Sequence, residues 1–106
     1  MSSEAFLRQM VLWTNDPQLI DSIRAEAEHG NVDAQYALGL AYAEGRGIDA
    51  DNVQAYMWLS LAVAQGDEDA KTLRYIVAES MSLEQVQQAQ YATAEFQRQR
   101  LSGPLH

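Results

Sequence analysis

Apolar residues recur along this chain at spacings of three and four residues, and short polar or glycine-containing segments separate the resulting stretches. This spacing is typical of amphipathic helices, and runs of β-branched residues, which would favour strands, are missing. We therefore expect an all-α chain. The predicted helices cover residues 3–13, 17–29, 33–44 and 51–65, a segment that opens at 67–69, and residues 82–100.

The third predicted helix is apolar on two sides. Leu38 and Tyr42 lie on one side, and Leu40 lies on the other. A helix of this kind is expected to be buried between neighbours. Gly39 lowers its helix propensity by about 1 kcal/mol relative to alanine, for which close packing against another helix would compensate. In the fifth helix the expected buried side comprises Leu73, Ile76 and Val77.

Polar residues mark the helix boundaries. Asp16 is the expected N-cap of the second helix and Asp33 that of the third, since short side-chain oxygens bind free N–H groups there. Either Asp49 or Asp51 opens the fourth helix. The segment Ser82–Gln85 is a capping box, in which a serine and a glutamine three residues later cap each other.

A five-residue motif returns after 36 residues. Gly30–Ala34 (GNVDA) is matched by Gly66–Ala70 (GDEDA). A period of this length is typical of helical repeat arrays. Because such arrays usually present surfaces to other proteins, the sequence favours a binding role over chemistry.

Small residues, glycines and aromatics recur at fixed offsets around this motif. They are Ala34, Leu38, Gly39, Tyr42, Gly45, Gly47, Ile48, Asp51, Ala55, Trp58, Ala62, Gly66 and Ala70. In these positions the chain resembles a Sel1-like repeat, a relative of the tetratricopeptide repeat, and in its closing segment it resembles short bacterial Sel1-like proteins. The best-matching unit spans residues 30–65.

The resemblance implies a right-handed α–α superhelix of about three antiparallel helix hairpins. A single domain would cover residues 1–101, with degenerate capping hairpins at 3–29 and 66–100 and a flexible tail at 102–106. In tetratricopeptide repeats the first helix of each pair lines the concave face. By that analogy the partner-binding residues are Asp33, Tyr36, Leu40, Ala43, Asp69, Thr72, Ile76 and Glu79.

These eight residues would form a shallow groove with an apolar floor and acidic edges. A helix or an extended peptide that carries basic residues suits such a groove. The alternative is that the terminal helices fold over this face and bury it. Trp58 is either packed between helices or an anchor for a partner.

Charge narrows the classes of function. The net charge is −8, and residues 16–69 carry eleven acidic and two basic side chains. This surface repels phosphate backbones, which argues against nucleic-acid binding. The acidic residues are either solvated helix faces or a patch for a basic partner. Cysteine is absent, which excludes disulfide and thiol chemistry.

The chain lacks the segments that target proteins to membranes. No apolar run approaches the roughly 20 residues of a membrane span, and the N-terminus lacks the apolar core of a secretory signal. A cytoplasmic protein is expected.

No catalytic residue, metal ligand or cofactor site is predicted. His29 and His106 have no partner at metal-ligand spacing. Asp49–Asn52 lacks the later glutamate of a calcium loop, and Gly45–Gly47 lacks the lysine and Ser/Thr of a phosphate loop.

The sequence thus predicts a non-catalytic adaptor, scaffold or regulatory module that binds another protein. A self-assembling homo-oligomer is the alternative, with a two-fold dimer as its commonest closed form. A third reading is a hydrolase-like enzyme, as proposed for some secreted relatives. Those relatives tend to be cysteine-rich, unlike this chain.

Overall fold

A computed structural model of the chain describes residues 16–101, which form five α-helices joined by short turns. In chain order these helices are α1 (Pro17–Glu28), α2 (Val32–Glu44), α3 (Asn52–Ala64), α4 (Glu68–Ala78) and α5 (Leu83–Leu101). Residues 16–101 contain no strand, so the all-α prediction is confirmed. Six helices were predicted, one more than the five described, because the helix expected over 3–13 lies outside the described residues. The tail predicted at 102–106 lies outside them too.

Side-chain caps set the starts of the helices. Asp51 Oδ1 accepts hydrogen bonds from the backbone N–H groups of Val53 (3.0 Å) and Gln54 (3.1 Å). Ser82 and Gln85 form the predicted capping box, with each side chain accepting from the backbone N–H of the other at 3.1 and 2.9 Å. These bonds satisfy N–H groups that have no partner inside the helix.

The cap of α2 differs from the prediction. Asn31 fills this position, and its Oδ1 accepts a hydrogen bond from the N–H of Ala34 at 3.0 Å. Gly30 turns the chain after α1 with a φ of 98°, so Asn31 is the first residue in the extended conformation of a cap. Asp33 lies in the first turn instead, where its carboxylate complements the helix dipole.

The core lies mainly between α2 and α3, with α1 packed on α2 and α4 packed on α3. Both α2 and α3 bury side chains all round, which confirms that α2 is enclosed by neighbours. The largest fully buried side chains are Ile20, Ile23, Leu38 and Leu59. The repeat alanines Ala34, Ala55, Ala62 and Ala70 are also fully buried. The first four helices pack in succession, in the manner of an α–α superhelix.

Gly39 marks a close approach of α2 to α3. A Cβ atom at this position would lie 2.7 Å from Cγ of Leu59 and 3.3 Å from the carbonyl oxygen of Ala55. Both distances are shorter than ordinary carbon contacts of about 3.5–4.0 Å. The expectation that close packing compensates for this glycine is confirmed.

A network of two side-chain amides, Gln35 and Gln65, links the two ends of the repeat. The side chain of Gln35 is buried, and its Nε2 donates to the carbonyl of Ala27 at 3.2 Å. Gln65 Nε2 donates to Gln35 Oε1 and to the carbonyl of Gly30, both at 2.9 Å. The network therefore ties the end of α3 to the turn that precedes α2.

The last helix takes a course that the hairpin pattern did not anticipate. Although α5 follows α4 in the chain, its backbone packs along α3. Phe96 of α5 meets Trp58 of α3 edge to face, with ring centroids 5.3 Å apart. At the far end, Arg100 Nη1 donates to the backbone carbonyl of Glu28 at the end of α1. In the capping hairpin predicted over residues 66–100, α4 and α5 are therefore not packed against each other.

We expect Arg100→Ala to loosen the last turns of α5. The loss of a charged hydrogen bond to the Glu28 carbonyl should lower the free energy of unfolding by about 1 kcal/mol. Amide hydrogen exchange should quicken over residues 96–101 and stay unchanged near the start of α5. Arg98→Ala removes an exposed arginine of the same helix that pairs with Glu95 one turn away, and should cost below about 0.5 kcal/mol. Equal effects of both substitutions would contradict this role of Arg100.

Candidate protein-interaction face

The eight residues predicted to bind a partner, which we call the α2–α4 face, divide into a closed half and an open half. On α2, Leu40 is buried with 7% of its surface exposed, and Tyr36 and Ala43 are half-buried against the core. Asp33 is also half-buried. The α2 half therefore offers little apolar surface for a partner.

The α4 half of the face is open. Its four residues, Asp69, Thr72, Ile76 and Glu79, are all exposed. Ile76 leaves 54% of its surface exposed, so the expectation that it lies on the buried side of its helix is wrong. The buried stripe of α4 runs instead through Ala70, Leu73 and Val77, and Ile76 lies outside it.

Tyr75 is a residue of this surface that the sequence interpretation missed. It exposes 71% of its surface and lies beside Ile76 on α4. Together with Thr72 and Glu79 these two residues follow the i, i+3, i+4, i+7 spacing of a second helix stripe. That spacing was visible in the sequence, and it marks the outward side of α4.

A shallow cavity of about 590 Å³ runs along this outward side. Thr72, Tyr75 and Ile76 contribute to its lining, and Lys71 and Arg74 bring positive charge. Thr72 Oγ1 donates to the carbonyl of Glu68 at 3.4 Å, so its methyl group is left for contact. The cavity can take an apolar side chain or the edge of a helix, since it lies open on the surface.

The remaining repeat positions serve the fold. Trp58 is 3% exposed and packs on Phe96, so it is a core residue and not an exposed anchor for a partner. The hydroxyl of Tyr42 accepts a hydrogen bond from Arg24 Nη1 at 2.9 Å, so a largely buried polar group is satisfied. Gly45 is the C-cap of α2.

Two further observations bear on function. Among residues 16–101, His, Asp and Glu side chains form no group of three or more that could hold a metal ion. Within the same residues, every helix lacks the length or the apolar character that crossing a bilayer requires.

Comparison with known proteins agrees with this architecture. The family model of the Sel1 repeat matches residues 32–67, which comprise α2, the loop after it and α3. The chain is also 43% identical over 54 residues to the alginate biosynthesis protein AlgK of Azotobacter vinelandii. That alignment covers 51% of this chain and only 12% of the relative. Residues 32–67 therefore match the Sel1 repeat, as the resemblance in the sequence led us to expect.

Proposed function

We propose that this chain is a non-catalytic adaptor, scaffold or regulatory module that binds a helix or an extended peptide of a partner along the α2–α4 face. Sel1 repeats mediate protein–protein interactions, which supports the general role. The observation that carries the specific site is the exposed apolar pair Tyr75 and Ile76 on α4. Contiguous apolar surface of this kind usually marks a binding site.

The acidic edges of this face favour a basic partner, while Lys71 and Arg74 line the cavity beside them. Asp69 and Glu79 flank Ile76 and are exposed, and the chain carries a net charge of −8. Opposite charges on a partner would speed its association and orient it in the groove.

A bacterial source and a cytoplasmic location, which the sequence favours, are parts of the same proposal.

A homodimer is the second candidate, because the same exposed pair on α4 suits a two-fold contact between copies. Sedimentation velocity of the full chain at several concentrations separates the two proposals. A monomer at all concentrations supports the adaptor role. A dimer that Ile76→Asp converts into a monomer supports self-assembly.

We expect Thr72→Ala combined with Ile76→Ala to weaken partner binding at least about tenfold, because interface energy concentrates in a few apolar contacts. Both side chains are exposed, so the melting temperature should change little. The full chain would be used as bait in a lysate of its source, and captured proteins would be compared by mass spectrometry. Purified partner would then be titrated against each variant.

The matched control is Tyr91→Ala, which removes a 70% exposed aromatic from α5, outside this face. A partner that both variants bind equally would contradict the proposed site. Leu40→Ala is unsuitable for this test, because truncating a buried leucine costs about 2–5 kcal/mol of stability.

A further inference from the structure

The divergence of α5 from α4 leaves a second groove, which we call the α4–α5 groove. It consists of a cavity of about 310 Å³ between α3, α4 and α5 and of the cavity of about 590 Å³ along α4 that the α2–α4 face also uses. Tyr56 and Arg74 line both cavities, so the two lie next to each other. The groove has α3 as its floor, because α5 packs on α3 and stays apart from α4.

The groove combines an apolar floor with polar walls. Val63 of α3 and Ala94 of α5 line its inner part, beside the ring of Tyr56. Gln90 and Gln97 of α5 line the opposite wall and carry no charge. An apolar stripe of a helix could be buried against such a floor while its flanks meet amide groups.

Arg74 is held in place at the centre of the groove. Its guanidinium lies 5.5 Å from the ring centroid of Tyr56, and its Nη1 donates to Ser60 Oγ at 3.1 Å. A guanidinium has five N–H donors, so one bond to Ser60 leaves capacity for a carboxylate. A fixed orientation lowers the entropy that binding would otherwise cost.

The charge of this groove is opposite to that of the molecule. Its lining contains Lys71 and Arg74 against one carboxylate, Glu68. The chain as a whole has a net charge of −8. An acidic segment would be repelled by most of the surface and attracted here, since complementary potentials select both partner and orientation.

From this geometry we propose that the α4–α5 groove binds an acidic amphipathic helix of a partner protein, with a carboxylate on Arg74. This groove shares the cavity along α4 with the α2–α4 face, but its inner part between α3, α4 and α5 lies outside that face, and the groove prefers the opposite charge. A helix in this position would continue the stack of helices beyond α4, because it would pack against α4 and α5 as each helix of a repeat array packs on its neighbours.

The test uses the full chain and two 18-residue helical peptides with the same leucine stripe, one flanked by glutamates and the other by lysines. Fluorescence anisotropy at low salt should give at least tenfold tighter binding of the glutamate peptide. Adding salt should weaken it, since exposed charges are screened. Backbone amide shifts in ¹⁵N-labelled protein should cluster at Tyr56, Arg74 and Ala94.

Lys71→Gln combined with Arg74→Gln should remove the preference between the peptides. Arg46→Gln is the matched control, because Arg46 lies in the loop after α2 and pairs with Glu44 at 2.6 Å. Equal binding of both peptides by the wild-type chain would overturn the proposal, as would no binding of either. Shifts confined to Tyr36, Thr72 and Ile76 would overturn it too, and would point to the α2–α4 face instead.

Discussion

Trp58→Ala is expected to lower the free energy of unfolding by about 3–5 kcal/mol, the usual cost of truncating a buried tryptophan. The side chain is 3% exposed and meets Phe96 edge to face. Its removal would leave a cavity between α3 and α5 and would remove the contact with Phe96 that packs α5 on α3. Since small domains are stable by about 5–15 kcal/mol in total, this one substitution should remove much of the stability.

Chemical denaturation followed by circular dichroism measures this change. Trp58→Phe is the informative control, because the indole Nε1 has no hydrogen-bond partner among residues 16–100. Phenylalanine would lose volume but no hydrogen bond, so its expected cost is about 1–2 kcal/mol, typical of a partial loss of buried volume. Equal costs for Trp58→Phe and Trp58→Ala would contradict the expectation that the lost buried volume sets the cost.

Gly39→Val is expected to lower the free energy of unfolding by about 3 kcal/mol, because extra atoms in a packed core strain it. A Cβ here would lie 2.7 Å from Cγ of Leu59, which is fully buried and has little room to move. Gly39→Ala should cost less, since alanine regains about 1 kcal/mol of helix propensity. Thermal and urea unfolding of both variants would measure the order.

A double-mutant cycle identifies the cause of this strain. Leu59→Ala opens space beside residue 39, so its combination with Gly39→Ala should cost at least about 1 kcal/mol less than the sum of the two single changes. Gly66→Ala is the control. Space is open around Gly66, but its φ of 96° strains any other residue, so its cost should add independently of Leu59. Strict additivity at Gly39 would show that the contact with Leu59 is unimportant.

The α2–α4 face shows what helical spacing can predict from the sequence and what it cannot. The eight candidate residues were placed on one face by their repeat positions, and the four at α4 and its C-cap are exposed. Leu40 fits the same spacing and is nevertheless buried. Periodicity states which residues share a side of a helix, but a neighbouring helix decides whether that side is covered. For the same reason Tyr75 was missed.

The course of α5 could not be read from its sequence. Its stripe of Val86, Ala89 and Phe96 shows that one side is buried, but any apolar neighbour would satisfy that stripe. The structure brings it to α3, where the ring of Trp58 meets Phe96. The groove beside Arg74 exists only because α5 packs on α3 and not on α4.

The sequence by itself determined the helices, their ends and the repeat, because helix spacing, caps and glycines act over a few residues. Asp51 and Ser82 cap their helices through hydrogen bonds to residues nearby in the chain. Gly39 has its role because α2 approaches Leu59 closely at this point. The Asn31 cap also has a local cause, the turn at Gly30 and the bond to the N–H of Ala34. Tertiary structure alone decided that Leu40 is covered and that α5 leaves α4. These outcomes depend on contacts between residues far apart in the chain, and the hydrophobic effect that drives them is not directional.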